Sequence, residues 1–352
     1  MKKVFLIYIT VLLLFSNNIS NAQHSKLTWY GYFDMETEVS NKDAAGKIWT
    51  FDQHHFNIIS IYQLDDRFRI YNEIEWEYGP SLKADEIREN IYLANAFLEY
   101  KHTDALRIRV GKFVSPFGIY NERHDATPTF IPTKLPHSVY GEHELSSTIK
   151  GRYFSKFSTG IQLRGSFYPG NWELRYQLYL SNGRGVKPSE QDDNANKGIG
   201  GRLLISPPNG NLRLGTSYYA DKNGNVNNAL QRALGFDLEF DYSHIHFESE
   251  VILSKIEKLD MTGNPNGIFE KGYGFYVLTA YTFFDKLTPF ARYEFHDHDI
   301  KADNINENII MVGINYSLSP NVYLKNEIHF HNFHINSSDS YEMIVASIAV
   351  AF

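Results

Sequence analysis

Cysteine is absent from the 352 residues. No disulfide framework holds this chain together, so another device must. Long apolar runs are scarce as well. Beyond the N-terminal segment, no stretch supplies the roughly 20 apolar residues that a spanning helix needs. Lys and Arg form no block, and the formal net charge is −7, which argues against nucleic acid as a partner. G-x-S-x-G, H-E-x-x-H and P-loop motifs are all missing. Helical periodicity is weak, with Ala84–Asn90 fitting at most one helical turn in a loop. Solenoid-length repeats and low-complexity tracts are also missing.

What is present begins with a leader. Lys2 and Lys3 form a basic n-region, Val4–Phe15 an apolar h-region, and Ser20-Asn21-Ala22 a small-x-small cleavage site. Residues 1–22 are therefore expected to be removed, leaving a single domain over 23–352. The new N-terminus carries no Cys, so a lipid anchor is not expected there. Aromatic residues make up 15%, mostly Tyr and Phe, yet mean hydropathy is only −0.37. An exported, aromatic-rich, cysteine-free chain of modest hydropathy fits a transmembrane β-barrel, in which only one face of each strand is apolar.

Period-2 alternation runs almost continuously after Gln23. Trp29, Phe33 and Met35 alternate with Tyr32, Asp34 and Glu36. In the clearest strand Phe68, Ile70, Ile74, Trp76 and Tyr78 form one face. Arg67, Arg69, Glu73, Glu75 and Glu77 form the other. The connections alternate long and short. The long ones are 39–48, 79–89, 114–157, 182–196, 221–230, 257–270, 299–306 and 334–339. The short ones lie at Asp65-Asp66, His102–Ala105, Pro169-Gly170, Pro207–Gly210, Tyr242–His244, Phe284–Lys286 and Ser319-Pro320. The expected fold is all-β: an antiparallel up-and-down transmembrane barrel of about 16 strands, with periplasmic turns and longer outer loops. The even count places both termini on the periplasmic side. Ile344, Ala346, Ile348, Val350 and Phe352 alternate to a terminal aromatic residue, which resembles the recognition signal of outer-membrane barrels. A barrel of this size is expected to enclose a water-filled lumen.

The inward faces carry Arg67, Arg69, Arg107, Arg109, Arg164, Arg175, Arg202 and Arg213, with Arg292 later. Inward acids lie mostly elsewhere: Asp34, Glu36, Glu73, Glu75, Glu77, Asp237, Glu239, Asp241, Glu248, Glu250, Glu294 and Glu327. A closed barrel would set a basic arc against a largely acidic wall, with a transverse field across the pore. Arginine stays charged and offers a fork to phosphate or carboxylate. Arg–Glu pairs that merely stiffen the wall are the alternative.

The longest connection, 114–157, is the third of the long ones. Pro116, Pro128, Pro132 and Pro136 restrict its backbone. Lys112 stands at its start, and Arg123, Lys134, Lys150 and Arg152 supply cations within it. The loop is expected to fold into the lumen as a constriction; an extracellular cap is the alternative. The run Gly111-Lys112-Phe113-Val114-Ser115-Pro116-Phe117-Gly118, with the later Gly160-Ile161-Gln162-Leu163-Arg164-Gly165, resembles the phosphate-selective porin O and P family. More broadly it is similar to Gram-negative porins that carry this signature before the long loop. The resemblance implies a trimeric diffusion channel of the Gram-negative outer membrane, surrounded by outer-membrane lipid and lipopolysaccharide, passing small hydrophilic or anionic solutes. In that family phosphate selectivity rests on an arginine ladder and a lysine-rich constriction. The inward arginines match the first; the loop charge here is mixed.

Histidines fall in pairs: His54-His55, His296 with His298, and His329 with His331 and His334. An i, i+2 pair on a strand has metal-binding spacing. Lumen histidines also serve as plain polar wall, and no metal, cofactor or catalytic residue is assigned. His124-Asp125 is the pair a barrel enzyme would use, without a recognisable nucleophile. A non-conducting barrel, acting as a surface binding protein or an enzyme, remains the rival to a channel.

Overall fold

The computed structural model describes residues 26–42, 49–77, 81–83, 86–88, 91–123, 126–145, 150–192, 194–301, 306–333 and 340–352. The expected leader, His124-Asp125 and His334 lie outside the described residues. Sixteen antiparallel strands close into one barrel. In chain order they are β1 (Leu27–Ser40), β2 (Thr50–Gln63), β3 (Phe68–Glu77), β4 (Ile91–Lys101), β5 (Arg107–Val114), β6 (Phe157–Phe167), β7 (Glu173–Ser181) and β8 (Gly198–Ser206). There follow β9 (Leu212–Asn223), β10 (Ala229–Tyr242), β11 (Ile245–Leu259), β12 (Pro265–Tyr281), β13 (Leu287–Asp297), β14 (Asn306–Ser319), β15 (Val322–Phe333) and β16 (Tyr341–Ala351). Each strand pairs with its sequence neighbours, and β1 pairs with β16 from Tyr32↔Ala351 to Ser40↔Met343. Closure leaves no sheet edge, which lets strands cross a bilayer with their backbone groups satisfied.

The alternation sorts side chains as the residue types require. Ile70, Ile74, Leu98, Val110, Ile161 and Leu178 stand exposed on the outside. Asp34, Glu73, Glu75, Asn95 and Glu99 are enclosed on the inside. Short turns form where the residue types set them. Asp65 Oδ1 accepts from the backbone N–H of Arg67 and Phe68 at 2.8 and 2.9 Å, a local turn that reverses β2 into β3. Exposed Tyr168, Trp172, Tyr242 and Phe284 crowd the turn end, where aromatic rings suit a membrane interface.

Three expectations need correction. The connections expected at 221–230 and 257–270 shrink to 224–228 and 260–264, because β9 to β12 extend past the polar residues. In the described part of Ala84–Asn90 the chain is strand and not a helical turn: Glu86–Arg88 pair with Ser81–Lys83 as a small hairpin. The lumen is not simply filled with water. The described residues of 115–156 turn inward and pack an apolar core against β9–β14.

Candidate functional site

The in-folded segment starts at Ser115-Pro116-Phe117-Gly118. Gly118 has φ +63°, and a Cβ there would lie 2.1 Å from the Tyr140 hydroxyl. Only glycine makes that bend at so close an approach. The bend carries Phe117, Ile119 and Tyr120 into the barrel, where each is almost fully buried. Phe117 stacks on Phe154 with centroids 4.0 Å apart. Tyr140, Phe130 and Tyr153 join them against Tyr219, Ile252, Tyr276, Leu278 and Met311 of the wall. Each such side chain contributes about 1.5–3 kcal/mol of burial, so the contact is stabilising as a whole.

Polar groups of the wall then satisfy the loop backbone. The N–H of Gly118 donates to Ser217 Oγ at 3.1 Å, and that of Ile119 to Glu250 Oε2 at 3.0 Å. Tyr140 and Tyr276 donate their hydroxyls to the same carboxylate at 2.8 Å. The Tyr120 hydroxyl donates to Glu248. Ser138 N–H reaches Glu294 at 2.9 Å, and the Arg292 guanidinium donates to Lys134 O at 2.8 Å. Across the lumen, Lys134 Nζ meets Glu36 at 2.5 Å and Glu38 at 3.3 Å. Burial opposes the Lys134 charge, but these carboxylates outweigh it and hold its pKa above the ordinary lysine range. The loop is thus tied to β9, β11, β13 and β1.

The expected site residues have the following places. Arg67 is exposed in the β2–β3 turn, away from the pore wall. Arg69, Arg107 and Arg109 converge on Glu99 at 2.7, 3.8 and 2.6 Å. Arg164 stands beside Arg109 on the neighbouring strand, with no carboxylate within 4 Å among the described residues. Arg175 pairs with Glu173 at 3.1 Å. Arg202 grips Asp237 through two bonds of 2.6 and 2.8 Å. Arg213 pairs with Glu239 and Asp241 at 2.9 and 3.1 Å, and Arg292 with Glu294 at 2.8 Å. A basic arc therefore exists as a run of strands, but most of its members have a carboxylate at hand. In the loop, Arg123 pairs with Glu239. Arg152 donates to Asn121 Oδ1 at 3.2 Å, and Lys112 sits 4.9 Å over the Phe157 ring. Lys150 is exposed to the outer cavity.

Two cavities flank the loop along the β1–β5 wall. The one on the long-loop side measures about 640 Å³. Glu36, His54, His55 and Glu77 line its strand side; Lys134, Lys150, Arg152, Lys156 and Arg184 line the other. The turn-side cavity, of about 350 Å³, is lined by Glu73, Arg109, Glu122, Arg123 and Arg164 among others. The 296/298 and 329/331 pairs do share faces, but three of these four histidines have an acid partner, and His296 Nε2 lies 2.7 Å from the Tyr153 hydroxyl. His298 meets Glu270 at 2.5 Å, His329 meets Glu327 at 2.9 Å, and His331 meets Glu307 at 2.9 Å.

Some residues were not visible from sequence. Arg184, outside any alternating run, bonds Asp221 at 2.8 Å and lines the outer cavity. Lys325 is fully buried and donates to the carbonyls of Thr127, Phe130 and Pro132 at 2.6, 2.8 and 3.1 Å. Its partners come from a loop far away in the chain, so no local signal marks it.

A closed barrel whose third long connection folds inward, leaving a cavity on either side, defines a channel-type protein of the outer membrane. The model of the Gram-negative porin family matches residues 9–334, and the chain belongs to that family. No curated protein matches its sequence. Solved structures share the fold at low identity. The anion-selective porin from Comamonas acidovorans is 13% identical, with TM-score 0.65, over 93% of this chain and 99% of that one. OmpF of Salmonella typhi, in complex with daunomycin, is 14% identical, with TM-score 0.63, over 93% and 97%. The trimer form of OmpT from Vibrio cholerae is 12% identical, with TM-score 0.58, over 93% and 99%.

Proposed function

We propose that this chain, after removal of residues 1–22, is a passive diffusion porin for small hydrophilic solutes with a preference for anions, and that residues 115–156 form its constriction. The charge lining the two cavities carries the reading. Among the described residues the outer cavity has five Lys or Arg against three Glu. The inner has three Arg against two Glu. Both are net positive, although the chain is net negative. Field lines in such a low-dielectric passage enrich anions. Arg164, set beside Arg109 with its fork uncommitted to a described carboxylate, is the arginine best placed to meet a phosphate or carboxylate in transit. Most other arginines are engaged, so general anion preference fits better than phosphate specificity. A homotrimer, the form of the Vibrio cholerae neighbour, is the proposed assembly.

One observation favours a second reading. The aromatic core between loop and wall suits a barrel that binds a ligand in its outer cavity and conducts nothing. Reconstitution into a planar bilayer separates the two. The porin reading expects stable single-channel steps and, in a salt gradient, a reversal potential of anion sign that Arg164→Ala reduces. Absence of steps favours the binding barrel, and a cation-signed potential removes the anion preference.

A further inference from the structure

The geometry points to a divalent transition-metal site on the inner wall, in which His55, Glu75 and Glu77 bind zinc from the outer cavity. His55 and Glu77 face each other across the β2–β3 ladder, and Glu75 lies two residues from Glu77 on the same face. Ligand atoms from the three side chains all lie within 4.8 Å of one another. A tetrahedral ion with bonds of roughly 2.0–2.2 Å needs ligand separations of about 3.3 Å.

The orientation of His55 points to the same conclusion independently of the carboxylates in front of it. Its Nδ1 lies 3.2 and 3.1 Å from the two oxygens of Asp34. Its backbone N–H donates to the same carboxylate at 2.7 Å. Asp34 therefore accepts the Nδ1 proton and fixes the tautomer. The lone pair of Nε2 then faces Glu77, whose Oε1 is 3.8 Å away. A carboxylate behind an imidazole is also how proteins orient metal-bound histidines.

The site is buried yet reachable. Glu75 is fully enclosed and His55 is 4% exposed, while His55 and Glu77 line the 640 Å³ cavity. One imidazole and two carboxylates, with water as fourth ligand, form a zinc set rather than the all-oxygen shell of calcium. Lys112 and Lys156 sit over the Phe157 ring at 4.9 and 5.2 Å, and Lys156 lines the same cavity. His54 turns to Asp52 at 3.1 Å and is not a ligand.

The test is zinc titration of the full-length protein in detergent at neutral pH, against a chromophoric chelator. One zinc per chain is expected. His55→Gln and Glu77→Gln should each weaken binding at least about tenfold, and Asp34→Asn about tenfold through His55. His54→Gln should change nothing. X-ray absorption at the zinc edge of the unmodified protein should show one imidazole nitrogen in the shell, whatever the variants do to folding. No stoichiometric zinc, an unchanged affinity in folded His55→Gln, or an all-oxygen shell would each overturn the site.

Discussion

Lys325 shows how much one side chain decides. It is fully buried on the inner wall, and its ammonium spends all three protons on loop carbonyls. Those carbonyls belong to the stretch that packs against β1 and β16. Lys325→Met keeps the length and apolar stem but strands three acceptors, at about 1–3 kcal/mol for each left unsatisfied. The barrel has its own ladder and should stay folded. Amide exchange over residues 127–133 should therefore accelerate at least about tenfold, with the strands still protected. Equal exchange in both proteins would mean that the aromatic core alone holds the loop. Arg202 teaches a related point about what a sequence hides. Its partner Asp237 sits two strands away, and the reach passes over Gly215, where a Cβ would lie 2.3 Å from the Asp237 carboxylate. Arg202 and Asp237 were both readable as inward residues. Their pairing depended on register, which alternation does not supply.

At the scale of the element, the long loop is a small folded unit rather than a tether. Its far part carries a histidine seam. His143 stacks on His296 at 3.9 Å and on Tyr153 at 4.5 Å. Burial, and then the neighbouring His296, push the His143 imidazole well below the ordinary histidine value. His137 pairs with Glu307 at 3.4 Å. Burial opposes its charge, but the hydrogen bond and charge of Glu307 outweigh it and raise its pKa. The signs run in opposite directions. His143 contributes stability above the ordinary value of about 6.5 and loses it as pH falls toward its lowered value. His137 contributes fully below about 6.5 and loses it as pH rises through its raised value. Loop protection should therefore peak near pH of about 6.5. His143→Phe should remove the acid limb and His137→Gln the alkaline one. A flat profile in the unmodified protein would discard both assignments. The loop's length and prolines were legible in the sequence. Its docking was not, because part of the wall that receives it is apolar on both faces: Ile252 faces in while Val251 and Leu253 face out. Continuous apolar runs of this kind carry no periodicity to read.

For the whole molecule, the alternation of long and short connections was enough to count the strands, since turn residues such as Pro169-Gly170 and Pro207–Gly210 mark one end of the barrel. The charge of the passage was harder to see, because the chain is net negative while the described lining of both cavities is net positive. Selectivity depends on that local surplus and not on the total. The outer surplus rests partly on Lys150 and Lys156. Lys150→Glu with Lys156→Glu turns five cations and three carboxylates into three and five. The reversal potential in a salt gradient should then move toward cations. The shift should be large near 0.01 M salt, where the screening length is about 30 Å, and small near 1 M, where it is about 3 Å. A shift of equal size at both salts would point to altered pore geometry, and no shift at either would place the selecting charges deeper, at Arg109, Arg123 and Arg164.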